Sequence, residues 1–157
     1  TLLEPQHVAP GKRGLTYRFW DWNRLYDERG HRSDTGRPRE LHVERSLAVT
    51  SFGASGDAFV ASCRAMPETL SSGAIEHKRI LRCRYFEAES VSGTGRIDID
   101  LGGTLVGLTA VSGSLTVETA DTALELPRGR SAVLPACSRT ATLTLRDARC
   151  ILARSLA

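Results

Sequence analysis

Two stretches concentrate the residue types that act on small polar molecules. They are Tyr17-Arg18-Phe19-Trp20-Asp21-Trp22-Asn23-Arg24 and Pro38-Arg39-Glu40-Leu41-His42-Val43-Glu44-Arg45. Both tryptophans of the chain and four of its arginines lie there. A guanidinium is a fixed cation with a planar fork of donors, and an aromatic face is a surface on which a cation stacks. Alternating the two suits a pocket for an anionic small molecule. Plainer roles stand beside this one. Arg18 can pair with Asp21 or stack on a tryptophan. His42 can brace a helix. Trp20 and Trp22 are two apart on one strand face, which would place at least one ring in the core.

Metal chemistry needs imidazoles and a carboxylate converging from neighbouring elements. The histidines are His7, His31, His42 and His77, and none follows residue 80. Gln6 and His7 are adjacent and do not make a spaced ligand pair. No metal site and no other cofactor is expected in this chain. The cysteines Cys63, Cys83, Cys137 and Cys150 have no Cys-x-x-Cys spacing. They read as reduced, mostly buried thiols of a cytoplasmic protein.

Texture places these residues. Leu15 to Trp22 is aromatic-rich and alternates weakly, so it predicts a strand. Tyr26 to Pro38 is charged and carries glycines and a proline, so it predicts an exposed loop. Glu40 to Val49 predicts a short helix. Residues 53–79 are Gly/Ser-rich at both ends and read as a linker or irregular segment. From Ile80 onward the chain reads as many short strands. These are Ile80–Val91, Arg96–Leu101, Thr104–Ala110, Ser114–Thr119, Thr122–Leu126, Ser131–Pro135, Thr140–Leu145 and Cys150–Arg154. Gly, Ser, Pro and Asp turns separate them, which predicts an all-β sandwich or barrel. Leu115-Thr116-Val117 and Leu143-Thr144-Leu145 alternate with period two, one face inward and one outward.

Composition narrows the partners. A chain of 157 residues is long enough for one domain with a real core. Its net charge of +3 is spread among interspersed acids, without the basic stripe of a nucleic-acid surface. No apolar run spans a bilayer and no secretory pattern opens the chain. The expectations are no nucleic acid, no membrane and a cytoplasmic location. The only methionine is Met66. The chain opens on Thr1-Leu2-Leu3-Glu4 as a strand already under way, so either an initiator was removed or the chain is a piece of something longer.

The two opening stretches resemble a signature of class I mannose-6-phosphate isomerases, zinc enzymes of the cupin fold. In compact bacterial members a "TYR-aromatic-YDW-x-R" segment leads through a Gly/Pro-rich loop into "RELHxEKAL". The counterparts are Thr16 to Arg24 and Arg39 to Leu47. Leu108 to Val117 resembles the cupin "xVLxGxhxl" hairpin, and Leu126 to Ala136 resembles "LxxGDxxxhPA". After that Pro-Ala this chain has Cys137-Ser138-Arg139 where a metal-binding cupin carries histidine.

The resemblance implies an all-β, cupin-type jelly roll over residues 80–157, a degenerate second cupin. Residues 1–52 would be the end of a first cupin half with the signature connection and a short helix. It implies that the zinc ligands belong to the missing N-terminal cupin half. The implied catalytic residues are Glu4 and Arg18, acting on a phosphosugar, mannose 6-phosphate. Between them the family pattern "QxSDxT" is replaced by a longer link carrying Lys12 and Arg13, expected to bind substrate. "GKRGLTYR" also resembles the "RAGLTPK" of longer family members, so the main cation is Lys12, Arg13 or Arg18. The parent would be a zinc-dependent aldose–ketose isomerase and this chain alone inactive. The alternatives are a non-catalytic sugar-binding cupin and a dimerisation module, since jelly rolls associate through their sheets into homodimers.

Overall fold

The structure is a computed structural model that describes residue 3 and residues 16–53 and 56–156. The chain divides into two compact units; of the described residues, 16–53 and 56–63 belong to the first and residue 3 with 64–156 to the second.

In the first unit the expected Leu15–Trp22 strand is not formed. Aromatic residues there favour a strand, but Trp22 and Asn23 both adopt left-handed φ of 52° and turn the chain. The Arg24 amide donates to the Asp21 carbonyl at 3.0 Å and closes that turn. The charged segment after it forms a small hairpin, β1 (Leu25–Tyr26) against β2 (Arg37–Pro38), antiparallel with Leu25 opposite Pro38. The expected helix is present as α1 (Val43–Ala48), and a second helix, α2 (Asp57–Ser62), follows. The described residues of this unit bury only Asp21 and Ser46. Both tryptophans are exposed, at 55% for Trp20 and 62% for Trp22, so neither ring enters a core.

The second unit holds the hydrophobic core. Residues 53–79, expected as a linker or irregular segment, carry α2, β3 (Glu68–Ser71) and the start of β4 (Ile75–Arg82). His77 therefore lies inside the sheet, although no histidine follows residue 80. The remaining strands are β5 (Phe86–Asp100), β6 (Val106–Glu118), β7 (Ala123–Pro127), β8 (Ser131–Leu134) and β9 (Thr140–Ser155). All pairings are antiparallel in the order β3-β4-β5-β9-β6-β7, with β8 also on β6.

The three central strands are long, where the sequence reads as twice as many short ones. Arg96–Leu101 continues β5, Ser114–Thr119 continues β6, and Cys150–Arg154 continues β9. The registers shift at Gly93/Gly95 in β5 and across Ala110–Ser114 in β6, so each strand bends and runs on. Beyond the bend β6 exchanges its outer neighbour, β8 on one side and β7 on the other. The bent strands thus contribute to two layers, the arrangement of a jelly roll. Leu108, Leu115, Val117, Leu143, Leu145 and Leu152 form one core between them, each at most 2% exposed. The alternation at 115–117 and 143–145 is as the sequence predicts.

The bend depends on Gly113, whose φ is +63° and whose added Cβ would run into the Asp147 carbonyl of β9. Asp147 itself turns at φ 44°. Gly113→Ala combines a left-handed backbone with a clash against backbone, so it is expected to lower stability by about 2 kcal/mol. In thermal unfolding followed by circular dichroism that is a fall in Tm of roughly 5–10 °C. A Tm within a degree of wild type would mean that the strands bend without this crossing.

Candidate functional site

The first unit brings the two signature stretches together. Asp21 sits in the turn that follows Trp20, buried at 6% exposure. Arg39, just after β2, reaches it with both ends of its fork. Its Nε donates to Asp21 Oδ2 at 2.7 Å and its Nη2 to Oδ1 at 2.6 Å. Such a bidentate pair is short, directional and charge-assisted. The Arg39 hydrogen bonds hold the Asp21 carboxyl below the usual carboxylate range, against the opposing effect of burial. The same bonds raise Arg39 above the ordinary guanidinium value. Arg39 also lies 4.4 Å over the Tyr26 ring, which fixes its plane.

A second tie runs from the His42 amide to the Arg18 carbonyl, 2.8 Å. The Tyr17 and His42 rings meet at 6.0 Å. His42 stands at the N-terminal boundary of α1, where its side chain makes no capping hydrogen bond. Its Nε2 lies 3.9 Å from the exposed Glu40 carboxylate.

This geometry bears on one of the roles open to Arg18, pairing with Asp21. Asp21 is taken by Arg39, so the Arg18–Asp21 pair is not formed. Among the described residues no carboxylate pairs with the half-buried Arg18. Arg24 likewise has no ion pair there and stacks on Trp22 at 4.5 Å. Trp22 in turn meets Trp20 at 5.3 Å with 36° between the planes. The result is an exposed stack, Arg24 on Trp22 beside Trp20, on a turn anchored by a half-buried ion pair. Tyr17 and Phe19 are both about half exposed and do not point into a core. Glu4, Lys12 and Arg13 lie outside the described residues.

Sequence reasoning missed a second polar constellation, in the jelly roll. Glu87, Glu89 and Val91 alternate along β5 and all are buried. Glu89 Oε2 receives Arg154 Nη2 from β9 at 3.0 Å and lies 3.0 Å from His77 Nε2 of β4. Arg79 Nε of β4 donates to Glu87 Oε2 at 2.8 Å, and its Nη1 donates to Glu68 of β3. Arg82 and Arg154 approach Glu87 at 3.4 and 3.6 Å. Burial alone would raise the Glu89 carboxyl. Hydrogen bonding with His77 and Glu87 and the charge of Arg154 outweigh it and hold Glu89 at about 2. The signal was present as Glu-x-Glu-x-Val opposite His-x-Arg, acids sharing the strand face of a core valine.

Zinc finds no such site. Among the described residues no three His, Cys, Asp or Glu side chains converge as metal ligands. His31, His42 and His77 sit in three separate pairs with Asp27, Glu40 and Glu89. These residues do not fit a zinc centre. All four cysteines are free, and Cys150 alone is fully buried, where the sequence suggested most would be. Burial pushes its thiol up to about 12, opposed by a hydrogen bond with the Val91 backbone. Cys63 and Cys137 lie in exposed turns, because α2 ends just before the first and β8 before the second. No described helix is long and apolar enough to cross a membrane.

No protein-family model and no curated protein matches the sequence. Solved structures do match the fold. The mannose 6-phosphate isomerase from Bacillus subtilis superposes with a TM-score of 0.60 at 21% identity, over 87% of this chain and 39% of that one. KdgF from a Halomonas species aligns at TM-score 0.49 and 17% identity, over 59% of this chain and 86% of that one. An RmlC-like cupin from Shewanella frigidimarina aligns at 0.48 and 13%, over 59% and 85%. This chain thus spans about two fifths of the length of the isomerase it superposes on. With the antiparallel bent-strand topology, the fold is a cupin-type jelly roll.

Proposed function

We propose that this chain is the C-terminal portion of a class I mannose-6-phosphate isomerase, which interconverts mannose 6-phosphate and fructose 6-phosphate in the cytoplasm. The observation that carries the reading is the division of labour between two arginines. Arg39 neutralises Asp21 and pins the signature turn, which leaves Arg18 available beside it. Aldose–ketose isomerisation moves a proton between adjacent carbons through an enediol, and negative charge develops on oxygen. A fixed guanidinium stabilises that charge without reorganising. In this reading Arg18 supplies it, Glu4 orients the sugar or relays the proton, and Lys12 and Arg13 hold the phosphosugar.

The zinc implied for such an enzyme would be held by a preceding cupin half. The same half would cover the first unit, whose described residues leave Tyr17, Phe19, Trp20, Trp22, Leu41 and Leu47 exposed. A unit whose described residues bury only two polar side chains has little core of its own among them, which supports a covering partner. A second reading, a sugar-binding cupin without catalysis, is favoured by the outward-facing Trp20–Trp22 pair, since exposed aromatic rings suit stacking on a ligand.

One comparison separates the two. The parent polypeptide, purified with zinc, is expected to convert mannose 6-phosphate to fructose 6-phosphate. The 157-residue chain alone is expected to convert none, since a catalytic zinc needs three protein ligands. No turnover by a folded parent would remove the isomerase reading, and turnover by the isolated chain would overturn its expected inactivity.

A further inference from the structure

The hairpin β3–β4 is attached to the jelly roll in an unusual way. No residue of either strand belongs to the fully buried core, and only Ile75, at the turn end of β4, packs partly against it. All four residues of β3 are exposed. β3 is also an edge strand, paired on one side to β4. Two things hold the hairpin to β5. One is the backbone ladder from Ile75 opposite Gly93 to Arg82 opposite Glu87, broken by an irregularity between Arg79 and Leu81. The other is a row of ionic side chains that crosses four strands.

That row has a movable half and a fixed half. The hairpin contributes Glu68 from β3 and His77, Arg79 and Arg82 from β4. The core strands contribute Glu87 and Glu89 from β5 and Arg154 from β9, with Arg154 Nη1 also donating to the Asp100 carbonyl at 2.9 Å. Glu87 and Glu89 keep Arg154 as a partner whether or not the hairpin is seated. The hairpin's hooks are His77 to Glu89 and Arg79 to Glu87. Apolar burial is proportional to area and non-directional, whereas these contacts are lost together when the hairpin lifts. Elements with few buried apolar contacts are the ones that open without global unfolding.

We propose that β3–β4 is an ionically latched edge, which opens from the jelly roll as a unit when its hooks to Glu87 and Glu89 are released. Opening would free the outer edge of β5, a row of backbone donors and acceptors able to pair with another strand.

Hydrogen–deuterium exchange at pH 7 on the full chain tests this directly. In the wild type, amides of residues 75–82 that face β5 should exchange at least tenfold faster than those of 106–110 and 148–153. Arg79→Met removes one hook and leaves Arg154 with both glutamates; His77→Gln removes the other. Each should speed exchange in 75–82 by a further tenfold or more, with the central strands unchanged. Two results would overturn the latch. One is wild-type protection of the hairpin in both variants. The other is an equal loss of protection in all strands, which would make the row a general stabiliser. Neither substitution touches a core residue, so both variants are expected to fold.

Discussion

Acidification from pH 4.5 to pH 2 is expected to strip on the order of 3 kcal/mol of stability from the jelly roll through Glu89 alone. The carboxyl is held at about 2 in the folded chain, against an ordinary value of 4.5. The unfolded chain therefore binds the proton first as pH falls. The stabilisation is complete above pH 4.5 and is lost progressively as pH drops through the window toward 2. Burial opposes the ionised form, and the hydrogen bonding with His77 and Glu87 and the charge of Arg154 together outweigh it. Glu89→Gln keeps the shape of the side chain and cannot ionise. Denaturant unfolding at pH 6, 4, 3 and 2 should show a steep loss in the wild type and a shallower one in Glu89→Gln. Equal acid slopes in the two proteins would show that Glu89 is not the group that titrates.

The contrast between Glu89 and Leu143 shows what was legible in the sequence. Leu143 and Leu145 alternate with threonine, and a period of two has one physical reading, a half-buried strand. Glu87 and Glu89 obey the same period, but an isolated acid reads as solvent-facing because burying it unpaired is costly. Their partners come from β4 and β9, and Arg154 is far away in sequence. The bends were hidden for a related reason. Ser112-Gly113 and Asp147 carry turn chemistry, and only the pairing partner decides whether such residues end a strand or bend it.

The candidate site was half legible. The resemblance to the family signature coupled the two stretches, and the Asp21–Arg39 pair and the His42–Arg18 backbone bond join them. The strand expected over Leu15 to Trp22 is not formed by its described residues, 16–22, since aromatic content favours strand while the left-handed pair Trp22-Asn23 breaks it. For Arg18 the described geometry supplies a different point, that Asp21 is already held by Arg39.

In the parent protein, Arg18→Ala is accordingly expected to slow turnover by about a hundredfold or more, equivalent to on the order of 3 kcal/mol of transition-state stabilisation. Folding stability should change less, because the described hydrogen bond of Arg18 is made by its backbone carbonyl, which alanine keeps, and its charge is the last-ranked influence on Asp21, behind Arg39 and Arg24. Lysine should rescue in part, since it restores a charge without the planar fork. Arg39→Ala should behave in the opposite sense, loosening the signature turn and lowering stability by stranding Asp21. The most direct single measurement is kcat for mannose 6-phosphate isomerisation by Arg18→Ala, normalised to the folded fraction determined on the same sample. A hundredfold loss in fully folded enzyme is the predicted result. Near wild-type turnover per folded molecule would contradict the assignment and take Arg18 out of the site.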